Sequence, residues 1–304
     1  MSIKINIRNW IPAFAGMTIC IGIITFQLLY SRTTIQTNIN TLKVTTSFYP
    51  LAFLAETIGG NNVLVTNLTP PGAEPHDFEP STRDIAELET QDIILLNGGG
   101  LEGYENKIKA NINLKKTTLI IAGKPLMSNP QDPHVWLDPI LFKKETQAIA
   151  AVLITKDPVH AGEYTQNMQE LSREIDLLDR EFKKGLENCR QNSIISSHKA
   201  FEYLAKRYGF NEVSLAGLSP EEEPLSKTLA EIASFAKKNT IRYIFFEELV
   251  SPSIAETIAR EVGAKTLILN PLEGLTNENK KAGKTYISIQ RENLKNLQIA
   301  LDCK

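Results

Sequence analysis

Residues 158–187 impose the strongest constraint on the fold. Tyr164, Met168, Leu171, Ile175, Leu178, Phe182 and Leu186 recur at steps of three and four, the stripe of one helix face. The intervening positions are largely charged, and no Pro or Gly interrupts the run between Gly162 and Gly185. At 1.5 Å per residue such a helix runs about 40 Å, enough to cross a small domain. A coiled-coil arm is the competing reading. The stripe lasts only about three heptads, and the flanks on both sides read as compact α/β sequence. The stretch is therefore read as a spine joining two lobes.

The flanks share one grammar. Before the spine, residues 42–48, 63–68, 92–97 and 119–122 read as strands. A helix opens at Pro50 and stops at Gly59-Gly60, and Ser81 with Asp84 forms a capping-box-like start. After the spine, residues 193–197, 212–216, 243–247 and 265–270 read as strands. Helices are predicted over 199–208, 225–238, from Ser251-Pro252 to Gly263, and over 290–301. Glu221, Glu222 and Glu223 are expected at the N-terminus of the 225–238 helix, where the dipole favours them. The predicted fold is α/β: two βα lobes with mainly parallel sheets joined by a single long helix. The predicted boundaries are 1–40, 41–157, 158–188 and 189–304.

The first segment differs in kind. Lys4 and Arg8 precede an uncharged apolar run, residues 17–30. This resembles a secretory signal and is short for a span, which needs about 20 residues. No small-residue cleavage site follows, so an uncleaved membrane anchor stays open. Cys20 follows Met17-Thr18-Ile19, a poor lipoprotein match, and no lipidation is predicted there. In an exported chain Cys189 and Cys303, which flank the second lobe, are free to pair. A net charge of −2 gives no electrostatic case for nucleic acid.

Two motifs are set aside. Gly98-Gly99-Gly100-Leu101-Glu102-Gly103 fits G-x-G-x-x-G, but the next strand lacks the acidic residue a dinucleotide site needs. These glycines are expected only to turn the chain. There is no G-x-S-x-G elbow, and Ser197 beside His198 is mere adjacency.

The histidines carry the signal. There are four in the chain, and His76, His134 and His198 each fall just beyond a predicted strand end, where α/β sheets place ligands. His160 sits at the start of the spine and is read as solvated or packed. Two imidazoles from the first lobe and one from the second would meet across the cleft. A tetrahedral site wants a fourth ligand: Glu273 lies at an equivalent carboxyl end, with Glu247 and Glu248 as rivals.

Four stretches carry a family resemblance: Pro75-His76-Asp77-Phe78-Glu79-Pro80-Ser81, Pro133-His134-Val135-Trp136-Leu137-Asp138-Pro139, Ser197-His198-Lys199-Ala200-Phe201-Glu202, and Asn270-Pro271-Leu272-Glu273-Gly274. The chain from about Leu42 onward resembles the metal-binding solute receptors of bacterial zinc and manganese ABC importers, most closely the ZnuA zinc-uptake type. The resemblance implies a non-enzymatic periplasmic receptor that captures Zn²⁺ between the lobes and delivers it to an ABC permease in the inner membrane. It implies His76, His134, His198 and Glu273 as ligands and a monomeric chain. An imidazole at the third position points to the zinc branch, because Mn²⁺ prefers more oxygen. Two departures stand out. The histidine-rich loop of many zinc receptors is absent from residues 123–131, and the glutamate is not universal in the family. A manganese or iron receptor and a zinc-dependent hydrolase are the alternatives. Loop movement is expected in the second lobe, near residues 220–224 and Glu273.

Overall fold

The computed structural model describes residues 41–304. The leader reading, with Lys4, Arg8, residues 17–30 and Cys20, lies outside the described residues. Among the described residues no helix is long and apolar enough to cross a membrane.

The first lobe holds β1 (Leu42–Thr46), α1 (Tyr49–Gly59), β2 (Val63–Asn67), α2 (Thr82–Glu87), β3 (Ile93–Leu96), α3 (Glu105–Asn111), β4 (Thr118–Ile121) and α4 (Pro139–Lys156). Its four strands run parallel in the order β2-β1-β3-β4, with Leu42 opposite Val63 and Val44 opposite Ile93. The Ser81–Asp84 capping box forms as predicted: Ser81 Oγ accepts from Asp84 N–H, and Asp84 accepts from Ser81 N–H. Gly98, Gly99 and Gly100 all have positive φ, which glycine adopts without a Cβ penalty. The N–H groups of Asn97 and Gly98 donate to the Glu102 carboxylate, so this loop turns the chain and binds its own acid.

The spine, α5 (Ala161–Gly185), follows a 3-10 turn over Pro158–His160. Tyr164, Leu171, Ile175, Leu178 and Phe182 are buried, as the stripe requires. The helix packs against α1, α4 and the terminal helix. One hydrophobic cluster runs from Val44 and Leu54 through the spine to Ile194, Leu204 and Phe245. His160 is the residue just before the spine, with Nδ1 2.6 Å from Asp157 Oδ2 and no side-chain bond to the helix amides.

The second lobe repeats the first: β5 (Ser193–Ser196), α6 (Glu202–Tyr208), β6 (Asn211–Ser214), α7 (Ser226–Lys238), β7 (Tyr243–Phe246), α8 (Ser253–Val262), β8 (Lys265–Ile268), α9 (Asn277–Lys281) and α10 (Tyr286–Ala300). The strands are again parallel, in the order β6-β5-β7-β8. Cys189 and Cys303 form a disulfide that joins the two ends of this lobe.

Three local readings need correction. Helix α6 begins at Glu202, not Lys199, because the preceding amides bond elsewhere. Lys199 N–H donates to Gly217 O, and Phe201 N–H donates to the Glu212 carboxylate. Helix α7 has Leu225 at its cap and no acidic residue in its first turn, so Glu221, Glu222 and Glu223 stay in the exposed loop before it. Helix α10 starts a turn earlier than expected, at a Thr285–Ser288 capping box.

Candidate metal centre

The loops beyond the carboxyl ends of β2, β4, β5 and β8 converge on the cleft between the sheets. Residues 68–81 carry His76 between β2 and α2. Their prolines restrict the backbone, and the positive φ of Gly72 turns it. His134 precedes a 3-10 turn over Val135–Leu137, after which Asp138 caps α4 by accepting from Ile140 and Leu141 N–H. His198 follows β5 almost directly. Glu273 sits in the loop after β8, where Asn270 and Asn293 exchange two hydrogen bonds and Asn270 Oδ1 accepts from Leu272 N–H. Leu272 itself has φ of 60°, a left-handed conformation held by complete burial.

The structure brings together the four residues read from the sequence. Nε2 of His76 lies 3.3 Å from Nε2 of His134 and 3.3 Å from Oε1 of Glu273. Nε2 of His134 lies 3.2 Å from the same oxygen and 3.3 Å from Nε2 of His198. Nε2 of His198 lies 3.3 Å from that oxygen as well. One ligand atom from each side chain lies within 4.8 Å of every other. A tetrahedral Zn²⁺ with bonds of about 2.0–2.1 Å separates its ligand atoms by about 3.3–3.4 Å. These five spacings, 3.2–3.3 Å, match that edge. His134, His198 and Glu273 are buried, and Oε2 of Glu273 is a buried acceptor with no hydrogen-bond partner.

Carboxylates behind two of the rings fix which nitrogen faces the cleft. Nδ1 of His134 lies 2.7 Å from Asp132 Oδ1, which also accepts from the His134 amide. Nδ1 of His198 lies 2.8 Å and 2.9 Å from the two oxygens of Glu247, and the His198 amide donates to the same group. Each pairing holds the proton on Nδ1 and leaves the Nε2 lone pair for a metal. Glu247 therefore stands behind the His198 ring, at Nδ1, and not among the atoms that converge at Nε2. Glu248 accepts from Asn270 and Asn279 side chains and stands outside the cluster. Sequence reasoning did not assign Asp132 or Glu74. An acid two residues before His134 was the only available signal for the first.

The electrostatics follow from burial and contact. Burial opposes the charged form of His198, but Glu247 and Glu273 more than offset it and hold its pKa well above the ordinary value. His134 behaves likewise, with burial outweighed by its bonds to Asp132 and Glu273. Burial would raise Glu273, yet the three imidazoles hold its carboxyl well below the usual range. Glu74, buried and near Glu273, is pushed up to about 9 by burial first and that neighbouring charge second. Raised imidazoles favour protons, which compete with a dication for the same lone pairs.

Comparison with known proteins agrees with this geometry. The family model described as zinc-uptake complex component A, periplasmic, matches residues 44–300. The high-affinity zinc uptake system protein ZnuA of Bacillus subtilis is 34% identical over 279 residues, covering 86% of this chain and 88% of the relative. The zinc-binding lipoprotein AdcA of Streptococcus pneumoniae is 34% identical over 280 residues, and the chain spans only 56% of its length. The crystal structure of the Zn(II)-bound ZnuA-like domain of that AdcA superposes with a TM-score of 0.78 at 36% identity, covering 86% of this chain and 100% of that domain. With the match running through both lobes and the spine, the chain belongs to the ZnuA family of zinc-uptake solute-binding proteins.

Proposed function

We propose that this protein captures Zn²⁺ outside the cytoplasm through His76, His134, His198 and Glu273 and passes it to an ABC permease of the inner membrane. The observation that carries this reading is the 3.2–3.3 Å spacing of the ligand atoms, the edge of a zinc tetrahedron. Three imidazoles and one carboxylate suit zinc over manganese, which favours oxygen-rich octahedra. Four protein atoms fill the tetrahedron, leaving no position for an activated water, and that supports capture over hydrolysis. The receptor acts as a monomer, either released after export or tethered by its N-terminal segment. Competitive titration tests the reading: the chain should take zinc in preference to a large excess of manganese, with one site per monomer. A chain that prefers manganese, or that hydrolyses esters when loaded with zinc, would overturn it.

A further inference from the structure

The four ligands are not held alike. His134 is tied on both flanks to the second lobe. On one side Trp136 Nε1 donates to Pro271 O at 2.7 Å, and Tyr286 Oη donates to Trp136 O at 2.5 Å. On that same side Arg207 reaches Asp138, and on the other Tyr203 Oη donates to Asp132 O at 3.3 Å. His198 and Glu273 belong to the second lobe, where Glu247 and the Asn270–Asn293 pair fix them. These three ligands form one block that bridges the cleft.

His76 stands outside that block. Solvent reaches 9% of its side chain, against 0% for each of the other three ligands. Its Nδ1 has no carboxylate partner among the described residues, unlike His134 and His198. Apart from the His76 ring, its loop bonds to the second lobe through one backbone contact, Gly72 N–H to Leu275 O at 2.9 Å. What steadies His76 instead is Glu74, whose Oε1 accepts from the His76 amide at 3.1 Å and whose Oε2 is buried without a partner.

We infer that His76 is the exchange ligand, the first to leave and the last to close on the metal, and that Glu74 is its positioning residue. This rests on the zinc-capture reading above. Zinc then enters and leaves on the His76 side, while the other three ligands keep their geometry as a preformed half-site. The expected movement of the Glu273 loop is replaced by movement of residues 72–78.

Hydrogen exchange of the full chain, metal-free and zinc-loaded, tests this without any substitution. Zinc should protect the amides of residues 72–78 strongly and change residues 132–138 and 270–275 little. Transfer of zinc to excess chelating dye gives the second readout. Glu74→Ala should raise the dissociation rate about ten-fold with little change in association, the scale of one buried hydrogen bond. Glu74→Gln keeps an oxygen for the His76 amide and should stay within about two-fold of wild type. Equal protection of all three segments would overturn the inference. So would a Glu74→Gln variant that loses zinc as fast as Glu74→Ala. A wild-type chain that binds no zinc would remove the capture reading as well, which separates the two failures.

Discussion

The two lobes share a strand order, β2-β1-β3-β4 and β6-β5-β7-β8, yet they build their halves of the site differently. In the second lobe one candidate ligand and its partner acid sit at strand ends, while Glu273 rides on a loop that Asn270 and Asn293 pin. His198 lies just past β5, and Glu247, the first residue after β7, orients it from the neighbouring strand. Sheet register alone sets that pair. In the first lobe the ligands ride on loops, and the carboxylate that orients His134 comes from the same loop. A site written into sheet register is stiff, while one written into loops keeps some freedom to open. One topology thus supplies a fixed side, to which the His134 loop is also bonded, and a freer His76 loop.

The sharpest way to break this comparison is to remove one imidazole from each side. His198→Ala leaves Glu247 buried without the imidazole that both of its oxygens contact, and takes from Glu273 one of its three. His76→Ala opens a position that water can fill from the lip of the cleft. The loss of zinc affinity should be at least about a thousand-fold for His198→Ala and about a hundred-fold for His76→Ala. Calorimetry with a competing chelator measures both. Equal losses would mean that the two sides are equally stiff.

A finer version leaves the ligands in place and alters what stands behind them. Orienting groups typically change metal affinity by about 10–100-fold. Glu247→Gln should fall at the upper end, because both Glu247 oxygens lie on His198 Nδ1 and one also takes the backbone amide. Asp132→Asn should fall at the lower end, because the Trp136 and Tyr286 bonds still hold the His134 loop. Reversal of that order would place the stiffness in the first lobe.

The pH dependence follows from the pKa directions. Zinc needs neutral imidazole, so each proton held at the site competes with it. His134 and His198 are both raised, so on acidification affinity should already be falling before pH drops to the ordinary histidine value of about 6.5, by up to about ten-fold per pH unit for each proton displaced. The stability sign is opposite in the two forms. In the metal-free protein the raised histidines stabilise the fold below about 6.5, and this is lost as pH rises through their folded values. The gap in Tm between zinc-loaded and metal-free protein should therefore widen with pH. A gap that is flat between mildly acid and mildly alkaline conditions would show that protons and zinc do not share the site.

Some of this was legible in the sequence because it is local physics. The spine stripe, the Ser81–Asp84 cap and the strand-end histidines each declare themselves within a short window. The orienting roles were not legible. Glu247 was a candidate ligand because nothing in the chain shows that β7 lies beside β5. Glu74 was hidden because its meaning depends on burial and on one unpartnered oxygen. Helix α6 starts late because Glu212, on another strand, takes the Phe201 amide. Where a side chain from a distant segment decides the outcome, local propensity carries no signal.

The smallest expected effect on zinc is the most informative about where the stiffness of the second lobe comes from. The Cys189–Cys303 bridge closes a sequence separation of 114 residues around that lobe. Adjacent backbone bonds, Arg190 N–H to Asp302 O and Gln191 N–H to Leu301 O, continue the attachment. Replacing both cysteines by serine should lower unfolding stability by about 2–4 kcal/mol. The bridge, however, lies before β5, at the amino ends of the strands, whereas the metal loops lie at the carboxyl ends. Strand β5 holds its register with β6 and β7 without the bridge. Zinc affinity should therefore change by less than about two-fold, within the scatter of additivity for distant sites. A larger loss would mean that pinning the terminus transmits order through the whole sheet, and sheet register would no longer suffice to explain the fixed side.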